Sequence, residues 1–260
     1  MYLLDHSPVF FVVALVVLLL MQELGFRLRA LANGFDEKGR DRRIRDVRNQ
    51  VALVLGLLLV FAAWMALTRF EERKRLVIAE TNAIGAAHRL AGLQSEPLRG
   101  IADLLLYQYA DSRIAIFGGE GDASARKNAM IVSRQIQDTL WRGAVAAVRE
   151  SQAPAETSYA QILSHMISVD RARMAAGFNR IPFGIWILLA LLAVTTSLAL
   201  GFGQRERSML AGCVPLLMVA ITMSLIADLD SPMSGFIQVE QQSLRSLSVD
   251  LRVRSSGLMD

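Results

Sequence analysis

A chain of 260 residues that is 53% hydrophobic, only 20% charged, and has a mean hydropathy of +0.37 is too apolar for a domain wrapping one core in a charged skin. A single cysteine, Cys213, excludes an internal disulfide framework and a cysteine zinc site. The net charge of +4 is small for a nucleic-acid binder, so no nucleic-acid partner is expected.

Four segments reach membrane length, for which a helix needs about 20 mostly apolar residues. The first covers residues 8–26, with Gln22 and Glu23 near its far end. Ala30-Leu31-Ala32 resembles a signal cleavage site, but Asp5 and His6 stand where a signal carries Lys or Arg, and Arg27 and Arg29 intervene. A retained anchor is expected. Residues 27–50 form a basic loop with Arg27, Arg29, Lys38, Arg40, Arg42, Arg43, Arg45 and Arg48. The second span, 51–68, has no charge, and Gly56 is the only Pro or Gly between Val51 and Ile84. That span therefore continues out of the membrane as one long helix.

Residues 69–180 are close to neutral, with 15 basic and 12 acidic residues, and read as an extramembrane helical bundle. Breaks at Gly92–Pro97, Gly118–Ser124 and Ser151–Thr157 divide it into four helical stretches. Val132, Ile136, Leu140, Ala144 and Val148 recur at steps of four, and Tyr159, Ile162, Leu163, Met166, Ile167 and Met174 share a face. The last stretch feeds the third span, 181–203. The fourth span, 209–227, carries Pro215 and a predicted kink, and residues 228–260 form a C-terminal tail. The fold class is thus all-α, with four transmembrane helices and a helical bundle between the second and third.

The positive-inside rule puts residues 25–50, with Arg205 and Arg207 of the third connection, in the cytoplasm. The bundle then lies outside. Arg69, Arg73, Lys74 and Arg75 beside the second span argue for the inverse topology. Glu72, Leu76, Glu80, Ile84 and His88 repeat every four residues. They read either as a polar path or, preferentially, as a hydrogen-bonded seam with Glu72 paired to an arginine.

Glu80-Thr81-Asn82-Ala83-Ile84-Gly85-Ala86-Ala87-His88-Arg89-Leu90-Ala91-Gly92-Leu93, followed by Pro97, resembles the signature of the bacterial bestrophin-like domain family, membrane proteins without an assigned biochemical activity. The resemblance continues through Leu106-Tyr107-Gln108-Tyr109-Ala110-Asp111-Ser112-Arg113 and Asn179-Arg180-Ile181-Pro182. It ends at Asp228-Leu229-Asp230-Ser231-Pro232-Met233-Ser234-Gly235-Phe236-Ile237. His88 stands where the family pattern has Tyr or Trp. The candidate motif residues are Glu80, Asn82, Gly85, His88, Pro232, Ser234 and Gly235. Bestrophins proper are oligomeric anion channels with a cytosolic helical region between spans two and three. The resemblance therefore implies a homo-oligomer in a lipid bilayer handling small ions, with the bundle in the cytosol.

With no charge inside spans two to four, a pore would need an apolar constriction gated by dewetting. Leu55, Leu59, Ala62 and Ala66 form one face of the second span and are the candidate pore lining. No metal or cofactor is expected, because His6, His88 and His165 occur singly. Ser164, His165 and Asp170 diverge on one helix, Gly118-Gly119-Glu120-Gly121 lacks a phosphate-loop Lys-Ser/Thr, and Asp228 and Asp230 read as caps before a cation site. No enzyme is expected. An ion channel or transport-related protein of the inner (plasma) membrane ranks first, and a membrane-anchored sensor or adaptor whose helical head binds an unknown protein partner is the alternative.

Overall fold

The computed structural model describes residues 7–31, 37–96, 98–118, 122–151, 153–204, 209–232 and 235–256, with side chains at all of these except 30, 37–42, 209–211 and 254–256. The described residues form eight helices: α1 (Ser7–Leu31), α2 (Glu37–Ala91), α3 (Leu98–Phe117), α4 (Ala123–Ser151), α5 (Pro154–Phe178), α6 (Phe183–Gly203), α7 (Met209–Asp230) and α8 (Gln242–Ser256). Two compact units result. One holds residues 1–70 and 180–238, the other residues 71–179 and 239–260, and α2 contributes to both.

In the first unit, α1, α2, α6 and α7 each carry an apolar stretch long enough to cross a membrane. Helix α1 packs on α6 and α7. The α1–α6 seam is close because Gly25 and Gly201 present bare backbone: a Cβ on Gly201 would stand 1.9 Å from the Gln22 carbonyl oxygen, and one on Gly25 2.1 Å from that of Leu198. Beside them the Ser197 hydroxyl donates to the Leu18 carbonyl. Arg29 Nη1 donates to the Phe202 carbonyl at 2.9 Å, satisfying one of the orphan acceptors at the α6 C-terminus. Helix α7 runs continuously past Pro215. Large apolar side chains such as Val12, Leu20, Leu188, Leu191 and Met218 are exposed, as a lipid-facing surface requires.

Residues 37–50, expected as part of a basic loop, are the opening turns of α2, and residues 27–31 are the close of α1. The helix runs through Gly39, and from Arg40 to Leu55 there is no Gly or Pro to stop it. Lys38, Arg40 and Arg42 lie on that helix, and their side chains, with Arg205 and Arg207 entirely, fall outside the described residues.

The second unit is a bundle of the α2 C-terminal turns with α3, α4, α5 and α8. Its core joins Ile84 and Ala87 to Leu106, Leu140, Leu163 and Leu244. Ala144, Ile136, Tyr159 and Met166 face inward as their spacing predicts, but Val132 is 45% exposed. Each four-residue step rotates a helical position by about 40°, so an exact step-four series leaves the buried face. Asp122 caps α4, accepting from Ala125 N at 2.7 Å and Ser124 Oγ at 2.8 Å, and these bonds hold its carboxyl below the usual range. The tail expected from residue 228 onward is not featureless: α8 packs on α3 and buries Leu244 and Leu251 in the bundle core.

Candidate functional site

Glu80 is fully buried on α2 in the bundle, where a lone carboxylate would be strongly disfavoured. It is not alone. Arg113 Nε of α3 donates to its Oε1 at 2.6 Å, Arg173 Nη1 of α5 donates to Oε2, and the Tyr109 hydroxyl donates to Oε1 at 3.3 Å. Arg113 Nη1 also meets Asp170 Oδ1 at 2.5 Å, and Arg173 Nη2 donates to Gln241 Oε1, just before α8. Two guanidiniums and two carboxylates thus sum to zero charge. Phe117 lies beneath both cations, 4.0 Å from the Arg173 guanidinium carbon and 5.1 Å from that of Arg113. Burial works against the charge on Arg113, but Glu80 and its neighbours outweigh it and leave the guanidinium pKa raised. Burial, then Glu80, pushes the Tyr109 phenol up, keeping it a hydrogen-bond donor.

A cleft of about 520 Å³ is lined by Arg113, Ser133, Gln137 and Asp170, with the exposed Arg134 and Arg171 beside them. Arg113 Nη2 is buried and meets no hydrogen-bond acceptor. His88 joins a separate pair, its Nε2 3.3 Å from Asp103 Oδ1. Of the other family residues, Gly85 is buried with Leu247 of α8 against it, whereas Asn82 is exposed. Of the positions Glu72, Leu76, Glu80, Ile84 and His88, Glu80 and His88 meet polar groups on other helices, whereas Glu72 pairs with Arg75 of its own helix at 2.5 Å.

The second motif closes the first unit. Asp228 accepts from Phe236 N at 2.9 Å and Ile237 N at 2.8 Å, drawing the chain back onto the end of α7. Gly235 permits this return: its φ is +119°, and a Cβ there would stand 2.5 Å from Asp228 Oδ1. Asp230 accepts from Ile181 N at 2.9 Å and pairs with Arg69 at 3.6 Å. Both carboxylates serve as ties for backbone and helix ends. Pro232 opens the turn, while Pro97, Ser234 and Gly119–Gly121 lie outside the described residues. Among the described residues, no group of three or more His, Cys, Asp or Glu converges on a metal-sized site.

The second span gives a correction. Leu55, Leu59, Ala62 and Ala66, expected as a pore lining, are buried in the subunit's own apolar cluster with Leu18, Leu189 and Ala220. Small residues there admit close helix neighbours, which is why this face turns inward. The exposed face is Leu53, Leu57, Val60, Phe61, Trp64 and Leu67.

The pairings of Arg113, Arg173, Asp170 and Gln241 escaped the sequence reading. Arg113 and Asp170 were visible as motif or polar residues, but their partners lie on other helices.

Four membrane-length helices in one unit, with a second helical unit built around a buried neutral ion network, define a polytopic α-helical membrane protein. The chain belongs to the family described as Bestrophin-like domain, which matches residues 10–244. Its fold is similar to crystal structures of single-substitution variants of a bacterial bestrophin homologue from Klebsiella pneumoniae. One is 11% identical with a TM-score of 0.65, covering 95% of this chain and 99% of that one. Another is 12% identical with a TM-score of 0.67, covering 95% and 98%. At this identity the likeness concerns the fold. No curated protein matches the sequence.

Proposed function

We propose that the protein is a homo-oligomeric ion channel of bestrophin type in the inner (plasma) membrane, with the exposed face of α2 lining the central path. The observation that carries this reading is the uncharged stripe Leu57, Val60, Phe61 and Trp64, left uncovered by the subunit while the opposite face is packed. Repeated around an axis, it forms an apolar constriction of the kind that gates by dewetting. Family membership supports the reading, and anions are the ions it favours.

Purified protein should form a ring-shaped particle and pass anions across liposomes. Trp64→Ala should raise flux per protein severalfold by widening the constriction, while Leu59→Ala should lower the yield of folded protein and leave flux per protein unchanged. A monomeric particle without flux would overturn the proposal. It would favour the second reading, a membrane-anchored sensor or adaptor, which the arginine-bearing cleft of the bundle supports by its fit to an acidic group of a partner.

A further inference from the structure

Between α2 and α6, at the basic end of the first unit, lies a groove of about 350 Å³. Its walls are Ile44 and Val47 of α2 and Leu198, Ala199 and Phe202 of α6, and Arg43 lines it with them. From Thr195 to Phe202 it follows about 10 Å of helix. The groove lies beside the exposed apolar side chains Leu188 and Leu191 of α6.

Two further arginines reach the same end of α6. Arg29 Nη1 donates to the Phe202 carbonyl, and Arg48 Nη1 lies 3.7 Å from where a Cβ on Gly203 would stand. Glu23 pairs with Arg27 at 3.0 Å, and among the described side chains of residues 43–48 Arg43, Arg45 and Arg48 stand with one acid, Asp46. In the sequence, residues 38–48 carry Lys38, Arg40, Arg42, Arg43, Arg45 and Arg48 against Asp41 and Asp46.

An apolar channel on a membrane-facing surface ending among arginines matches one ligand chemistry, a hydrocarbon chain joined to an anionic headgroup. We infer that this groove is a binding site for an anionic phospholipid, its acyl chain along Val47, Leu198 and Ala199 and its phosphate on Arg43 and Arg48. Basic pockets between membrane helices hold acidic headgroups in this way, because the cations gain a partner at the depth where water thins out. The occupant bridges α2 and α6, two helices separated in sequence by the whole bundle, and so ties the first unit together independently of any pore.

Native mass spectrometry of the full chain in detergent tests this, with phosphatidylglycerol, phosphatidylcholine of the same chains and inorganic phosphate as separate additions and thermal unfolding as a second readout. Phosphatidylglycerol should be retained and raise the Tm, and the other two should do neither. The double variant Arg43→Gln, Arg48→Gln should weaken phosphatidylglycerol retention on the order of tenfold. Ala199→Phe, which fills the groove and spares the arginines, should weaken it too. If Ala199→Phe does not fold, the arginine variant decides alone. Equal retention of both lipids, stabilisation by phosphate alone, or undiminished retention by the arginine variant would overturn the inference. Lipid retention by a non-conducting monomer would still support it, so its outcome is separable from that of the channel.

Discussion

Glu80 is a single carboxylate serving three donors on two other helices. Its removal differs from the loss of a surface ion pair, which is worth about 0–1 kcal/mol. Glu80→Gln keeps the shape and one acceptor but leaves Arg113 with Asp170 and Arg173 with the neutral Gln241. An uncompensated buried charge costs about 3–5 kcal/mol, so the bundle should lose that much stability in a denaturant melt. Adding Arg173→Met should recover part of the loss by restoring neutrality, a coupling a double-mutant cycle reads directly. A loss below about 1 kcal/mol for Glu80→Gln would mean that water reaches the site and the network is not dry. Gly235 obeys the same economy of space: its missing side chain is where the Asp228 carboxylate sits.

At the level of elements, the α1–α6 seam depends on two absent side chains. Gly201→Leu would drive a branched side chain into the Gln22 backbone, and no rotamer avoids a clash that begins at Cβ. The helices must part, at a cost of about 1–3 kcal/mol or more, and a lowered Tm in detergent with loss of membrane-inserted protein is the expected result. An unchanged melt would show that the seam is not a fixed contact. The four spans were legible because hydropathy measures transfer into lipid, and each falls on a helix with a membrane-length apolar stretch, the second inside the much longer α2. The rotation of α2 was not. Both of its faces are apolar, and only packing tells Leu59, which is buried, from Leu57, which is 73% exposed. The helical start of α2 was hidden because residues 37–50 carry charge without apolar periodicity. Helix α8 was readable in principle from Leu244, Leu247 and Leu251 but sat beyond the last span in what looked like a tail. The Glu80 network was half visible. Its stripe on α2 follows from spacing, whereas its arginines lie 33 and 93 residues away and no local rule joins them.

For the whole molecule, orientation in the bilayer turns on which arginines count. The cluster after the second span looked like a rival to the basic stretch 27–50. In the fold, Arg69 pairs with Asp230, Arg75 with Glu72, and Arg73 is buried. These residues have structural work at the foot of the bundle whichever side it occupies. They also precede more than 100 residues of bundle, and segments of that length translocate largely regardless of charge, whereas short connections within about 60 residues set the topology. The stretch between the first two spans, residues 27–50, is short and carries the basic excess, so we expect it in the cytoplasm and the bundle outside. In a Cys213→Ser background, a membrane-impermeant maleimide added to intact cells stripped of any outer layer should label Asp138→Cys on α4 and spare Arg45→Cys on α2 until the membrane is opened. The opposite pattern would place the bundle in the cytosol, as in bestrophins proper, and would mean that Arg69, Arg73, Lys74 and Arg75 act as the retention signal during insertion.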